Sequence, residues 1–258
     1  MEIIIIIEKY GGYCNRLFQS LHHHAYAIEN SKFFLNPSMM GLLIFDNFYF
    51  YLFDKLRNKI LTFIAKLIKL IHKKDEINFL IGKKFKIKIV NSWDFRAEDL
   101  SKKHYQTLKK IYQFKNFETN SKVKFVKNFL HKLRGEGKFI VGLHIRKGDY
   151  KTWNEGKFYY GDNFYQESIL KIKKSLIKEN KDPYIIAVSD EKLYSRKEID
   201  FFFNGSWKDD QFALQNCDLI IGPPSTFTMW ASFISEIPLI QLNDKEELKL
   251  DNQKVCKG

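Results

Sequence analysis

Cysteine is scarce in this 258-residue chain: Cys14, Cys217 and Cys256 are its three, far apart and with no CxxC pair. That spacing excludes a disulfide framework and a thiolate zinc site, and it favours a reducing, cytoplasmic setting. Five prolines and 13 glycines exclude a collagen-like or linker-rich protein. The isoleucine run Ile3 to Ile7 is too short for a signal-peptide core and far too short to span a bilayer. Several motifs are also missing. No GxxxxGK[ST] loop is present, which argues against a P-loop NTPase. Ser225 lies outside any GxSxG, which argues against an α/β-hydrolase. A DxD pair for a metal-held diphosphate is lacking, since Asp209-Asp210 is adjacent rather than spaced. His22-His23-His24 does not make a metal site, because neighbouring helical side chains diverge by about 100°.

What is present is apolar and basic. Hydrophobic residues make up 45% and aromatics 16%, with 24 Phe and 13 Tyr, enough apolar surface to offset chain entropy and exclude disorder. The formal net charge is +13, yet only six of the 43 basic residues are Arg. Position matters more than the total. Residues 1–50 and 139–258 each carry a net charge of −1, and residues 51–138 carry +15. Scarce arginine and the lack of a nucleic-acid motif argue against a nucleic-acid partner. Residues 51–74 predict an amphipathic helix. At about 100° per residue, Lys55, Lys59, Lys66, Lys69 and Lys73 fall within roughly 80°. Two readings stand: a solvated surface face, or a basic helix in peripheral contact with an anionic membrane.

The element pattern predicts an α/β protein. A β-branched run, Gly11-Gly12, then a helix over 15–30 opens one half. From residue 138 strands and helices alternate. Strands are expected at 139–145, 184–188, 219–221 and 238–242, and helices at 164–179, 207–216 and 226–235, as in a parallel doubly wound sheet. Residues 1–136 are read as one half, with a basic helical insertion at 51–74, and 137–258 as the other.

Three polar clusters follow three of these strands: His144 to Tyr150, Ser189-Asp190, and Gly222 to Phe227. Open α/β sheets bind ligands along that edge. Hydroxyls at Ser225 and Thr226, just before a helix, offer a diphosphate seat at its positive end. Arg146 adds paired donors, and Asp190 is an acceptor for a base or ribose. Each has a plainer reading: Ser225 and Asp190 as helix caps, and Arg146 as the ion-pair partner of Asp149.

The stretch Gly11-Gly12-Tyr13-Cys14-Asn15-Arg16-Leu17-Phe18-Gln19 resembles the GG-x-GNQLFQ opening of bacterial α-1,2-fucosyltransferases. HIRKGDY (144–150) is similar to that family's HxRRGDY, and CDLIIGPPSTFTMWASF (217–233) to its third block. The resemblance implies a GT-B-like architecture, two Rossmann-like halves with parallel sheets and a cleft between them. It implies transfer of fucose from GDP-fucose to a glycan hydroxyl, such as a galactoside, with α-1,2 linkage, inversion and no metal or other cofactor. By matching motif positions, it assigns His144, Arg146, Ser225, Thr226 and Phe227 to the donor diphosphate and Asp190 to guanine. Asn15 then faces the donor across the cleft, and Arg146 and Asn15 are the catalytic candidates. A glycan or lipid-linked oligosaccharide would be the acceptor. Cys14, Arg16 and Lys147 depart from the family pattern. They leave open a non-catalytic GDP-sugar-binding protein, or a different linkage (α-1,6 or protein O-fucosylation).

Overall fold

Isoleucine at successive positions favours a strand that is covered on both faces. The computed structural model describes residues 2–6, 11–36, 76–81, 85–90, 94–113, 121–191, 197–243 and 248–258. In it Glu2–Ile6 forms β1, with Ile4, Ile5 and Ile6 buried. Contacts divide the chain into two units, Met1–Asn116 with Lys257–Gly258, and Phe117–Cys256.

In the first unit β1 lies between β2 (Phe33–Leu35) and β4 (Phe85–Val90), parallel to both. Strand β3 (Glu76–Ile81) adds an antiparallel edge beside β4. The sheet around β1 is parallel, as expected, and β3 is an antiparallel addition at its edge. Only three residues join β3 to β4, and so short a link permits only antiparallel pairing. Helix α1 (Tyr13–Glu29) follows the glycine pair, with Gly12 as its N-cap. Leu17, Leu21 and Ala25 are fully buried on it, and His22 and His23 are also buried. Helices α2 (Glu98–Lys103) and α3 (Tyr105–Tyr112) pack against α1. The histidines have separate partners. His22 Nδ1 accepts from the Ala97 N–H at 3.3 Å, His23 stacks on Phe95, and His24 stacks on Phe34. The basic helix expected over 51–74 lies outside the described residues. Among those described, no helix is long and apolar enough to cross a membrane.

The second unit holds five parallel strands: β5 (Lys138–Ile145), β6 (Asp182–Ser189), β7 (Phe201–Phe202), β8 (Leu219–Gly222) and β9 (Leu239–Gln241). Their order in space is β7-β6-β5-β8-β9. The helices are α4 (Ser121–Gly135), α5 (Asp162–Lys178), α6 (Trp207–Leu214) and α7 (Thr226–Ser235). Each strand buries alternate residues on opposite faces. On one face Val141, Leu143 and Ile145 join Ile185, Ala187 and Ile221 against Tyr165, Ile169, Ile172 and Leu176 of α5. On the other, Ile140, Ile186, Val188 and Ile220 meet α4, α6 and α7 through Leu130, Leu133, Leu214 and Ala231. A sheet covered on both faces is the setting that parallel strands require.

This packing also moves the division of the chain. The sequence reading puts the boundary after residue 136, whereas the contacts put it at Asn116/Phe117. Helix α4 goes with the second unit because Val126, Leu130 and Leu133 are buried against its sheet. Asp218 reinforces the join. It accepts from Arg134 at the end of α4 and from the Ile140 N–H at 2.7 Å.

Candidate functional site at the carboxyl ends of β5, β6 and β8

The strand order reverses between β5 and β8: β6 and β7 lie to one side, β8 and β9 to the other. A doubly wound sheet opens a crevice at such a point, outside its carboxyl ends. In the β5–β6 register Ile145 pairs with Ser189, and in the β5–β8 register Leu143 pairs with Ile221. The three polar clusters read from the sequence thereby reach one edge.

The alternation of faces continues past the end of β5 and decides the fate of two cations. Arg146 takes the open side. Its Nε donates to Asp149 Oδ1 at 2.8 Å and lies 3.3 Å from Asp190 Oδ2, and its Nη2 is 2.8 Å from Asp149. Its Nη1 makes no hydrogen bond among the described residues, and 29% of the side chain is exposed. Burial opposes the guanidinium charge, but the Asp149 hydrogen bond and the Asp190 carboxylate more than offset it, so the pKa lies above its ordinary value. Lys147 turns to the α5 side and is buried. Its Nζ donates to the Tyr160 carbonyl at 2.6 Å, pairs with Asp162 at 2.9 Å, and lies over the rings of Tyr159 and Tyr165. A lysine departs from the paired arginines of HxRRGDY, and here it is a strut between the end of β5 and the start of α5.

Asp190 uses both oxygens within this cluster, since Oδ1 accepts the Lys147 N–H at 2.9 Å. Gly148 is required beside it. A Cβ there would lie 2.8 Å from Asp190 Oδ2. Tyr165 supplies a hydroxyl 3.3 Å from the Arg146 N–H.

The loop after β8 works through backbone and hydroxyls. Ser225 is the N-cap of α7 and accepts from the Phe227 N–H at 3.1 Å. Thr226 begins the helix, and Gln211 Nε2 holds the Phe227 carbonyl at 2.7 Å. The first turn thus directs backbone N–H groups outward at the positive end of a ten-residue helix. Gly222 allows the two loops to approach, because a Cβ there would sit 3.0 Å from His144 Cβ. His144 is buried with its ring 5.0 Å from that of Phe227. Its Nδ1 has no partner among the described residues. Burial, with Arg146 nearby, lowers its pKa to about 3, so the ring is neutral.

Sequence reasoning missed the tie between the loops. The Tyr150 hydroxyl donates to the Pro224 carbonyl at 2.6 Å, and the Arg146 guanidinium carbon lies 5.6 Å from the Tyr150 ring. Its place in HIRKGDY is the only signal that could have pointed to it. Six of the expected site residues, His144, Arg146, Asp190, Ser225, Thr226 and Phe227, therefore belong to one unit. Asn15 lies in the other, on the first turn of α1 and beside Gly11, whose φ is +59°. Asp209 completes the capping box of α6, whose N-cap is Ser206. Its carboxylate accepts from the Ser206 N–H at 2.8 Å while Ser206 Oγ receives the Asp209 N–H.

The second unit is an α/β domain of the doubly wound class, with charged and hydroxyl-bearing loops at its switch point. The family model for glycosyl transferase family 11 matches residues 71–254, and the chain belongs to that family. Among solved structures, a point mutant of FUT1 from Arabidopsis thaliana in complex with GDP matches with a TM-score of 0.51 at 12% identity. The match covers 94% of this chain and 71% of that one. Fucosyltransferase NodZ from Bradyrhizobium matches with a TM-score of 0.46 at 13% identity, over 93% of this chain and 96% of that one. A search of curated proteins finds no match.

Proposed function

We propose that this protein transfers fucose from GDP-fucose to a hydroxyl of a glycan acceptor. The resemblance of three motif blocks points to an α-1,2 linkage on a galactoside, with inversion and without a metal. Family membership supports glycosyl transfer, and the fold is shared with the FUT1 mutant in complex with GDP. The observation that carries the reading is Arg146. It is held by Asp149 and Asp190 with one guanidinium nitrogen unspent, on the same sheet edge as the N-terminus of α7.

Breaking the fucosyl–phosphate bond leaves negative charge on the leaving diphosphate. Donors fixed in advance stabilise such charge without reorganising at the moment of reaction. Arg146 supplies paired, permanently charged donors. The first turn of α7 supplies backbone N–H groups and the Thr226 hydroxyl. Neutral His144 supplies its ring to the same edge without adding a charge. Lys147 is spent inside the fold, so its departure from the HxRRGDY pattern removes no outward-facing donor. That weighs against a purely non-catalytic GDP-sugar-binding protein.

Radiolabelled GDP-fucose, incubated with a panel of β-galactosides in the presence of EDTA, tests the proposal. Labelled oligosaccharide is the expected product. Neither transfer nor donor hydrolysis, with any acceptor, would overturn it. Product linkage by NMR distinguishes α-1,2 from α-1,6 transfer.

A further inference from the structure

The segment between Gly148 and Asp162 is built more elaborately than a connection requires. At its base Lys147 Nζ holds the Tyr160 carbonyl, and near its start the Tyr150 hydroxyl holds the Pro224 carbonyl. Between these ties the rings form a row. Trp153 stacks on Tyr150 at 5.2 Å between centroids, and on Phe158 at 5.8 Å. The chain then turns sharply: Asn154, Glu155 and Gly156 have φ of 50°, 58° and 75°. Two consecutive non-glycine residues in the left-handed region are uncommon, and such strain clusters at active sites and ligand clamps. Trp153 directly precedes this turn. It is 51% exposed despite its two stacking neighbours. Exposed Lys151, Asn154 and Glu155 flank it in the chain.

We propose that Trp153 is a sugar-stacking platform that positions a pyranose ring of the acceptor glycan, an inference that rests on the glycosyl-transfer reading. Three features favour that occupant. The platform adjoins the reaction edge, because Tyr150 lies both beneath Trp153 and against Arg146. An indole has an electron-rich face, and the axial C–H bonds of a pyranose are electron-poor. The polar rim offers a cation, an amide and a carboxylate, the partners that ring hydroxyls require. Its ties at both ends hold the platform in place before binding, which lowers the entropy cost of capturing a flexible glycan.

Intrinsic fluorescence tests this directly, with lactose, N-acetyllactosamine and N,N′-diacetylchitobiose as probes. The expected result is a saturable change with at least one sugar that disappears in Trp153→Phe. Because Trp153 is half exposed, the variant is expected to keep its thermal midpoint. In the transfer assay, Trp153→Ala is expected to raise the acceptor KM at least tenfold and leave the GDP-fucose KM within twofold of wild type. No saturable response to any of the sugars, or an acceptor KM unchanged in Trp153→Ala, overturns the proposal. Sugar binding that depends on Trp153, in a protein whose melting is unaffected by GDP, supports the platform and overturns the donor reading instead.

Discussion

The loop after β5 and the loop after β8 reach the same edge of one sheet with different materials. The first, together with Asp190 from the end of β6, is a lattice of side-chain charges: Arg146, Lys147, Asp149, Asp162 and Asp190 are all paired. The second contains no charge between Gly222 and Phe227, and it relies on a cap, a helix end and backbone N–H groups. Fixed charge gives strong, long-range stabilisation of a diphosphate, whereas backbone donors give position at little desolvation cost. Tyr150 ties the two loops together, and under the proposed donor reading each would offer the diphosphate a different kind of donor.

Removing the charged arm should have the largest effect. Arg146→Ala is expected to lower turnover by about 10²–10³-fold, the loss typical of one fixed donor to a developing anion. Steady-state kinetics with GDP-fucose check it, and near-normal turnover would show that the α7 end suffices. Next, Lys147→Met leaves the outward face of the β5 loop intact and removes its inner strut. Stability is expected to fall by about 1.5–3 kcal/mol, the value of hydrogen bonds to a charged group, as read from urea unfolding. A variant as stable as wild type would show that the aromatic cage alone holds the loop. On the uncharged arm, Ser225→Ala removes the N-cap of α7. The expected cost is about 1 kcal/mol, with a fall in activity smaller than that of Arg146→Ala, measured by the same two assays.

The smallest expected effect depends on pH and sets the two arms against each other. Burial keeps His144, on the β5 side, neutral to about pH 3. Its contribution to stability is present above the unfolded histidine value near 6.5 and is lost as pH falls from there toward 3. Asp210, on the helix that leads into β8, behaves oppositely. Burial, with Asp209 adding to it, raises its pKa to about 7 against the hydrogen bond from the Gly205 N–H and the charge of Lys122. Its contribution is present below about 3.8 and is lost as pH rises toward 7. Asp210→Asn should therefore melt a few degrees higher than wild type at pH 8 and no higher at pH 3. Melting curves at the two values check this, and an equal shift at both would remove the titration from the account.

Much of the second unit was legible because its signals are local. Runs such as Leu219 to Ile221 are buried on both faces, and β8 and α7 lie where the apolar pattern puts them. The edge that gathers His144, Asp190 and Ser225 follows from strand polarity alone. What stayed hidden depends on contacts distant in sequence. Nothing local to Asp190 says that both its oxygens are taken by residues 146 and 147. Nothing local to α4 says which sheet it will cover, so the boundary was placed after it rather than before. The antiparallel β3 was also missed, in a lysine-rich stretch whose apolar period is weak.

The alternation along β5 has a consequence for how this gene can change. Residues at odd positions, Val141, Leu143 and Ile145, face α5, and Lys147 keeps that parity. Arg146 is outward only because it stands one step away. Losing or gaining a single codon within β5 would exchange the two cations, sending the guanidinium into the tyrosine cage and the lysine to the open edge, while the core side chains after the change switched faces. A codon added around Thr152, on the exposed part of the following loop, would shift no parity. The strand is thus a counting device: its length decides which of the two cations the open edge presents.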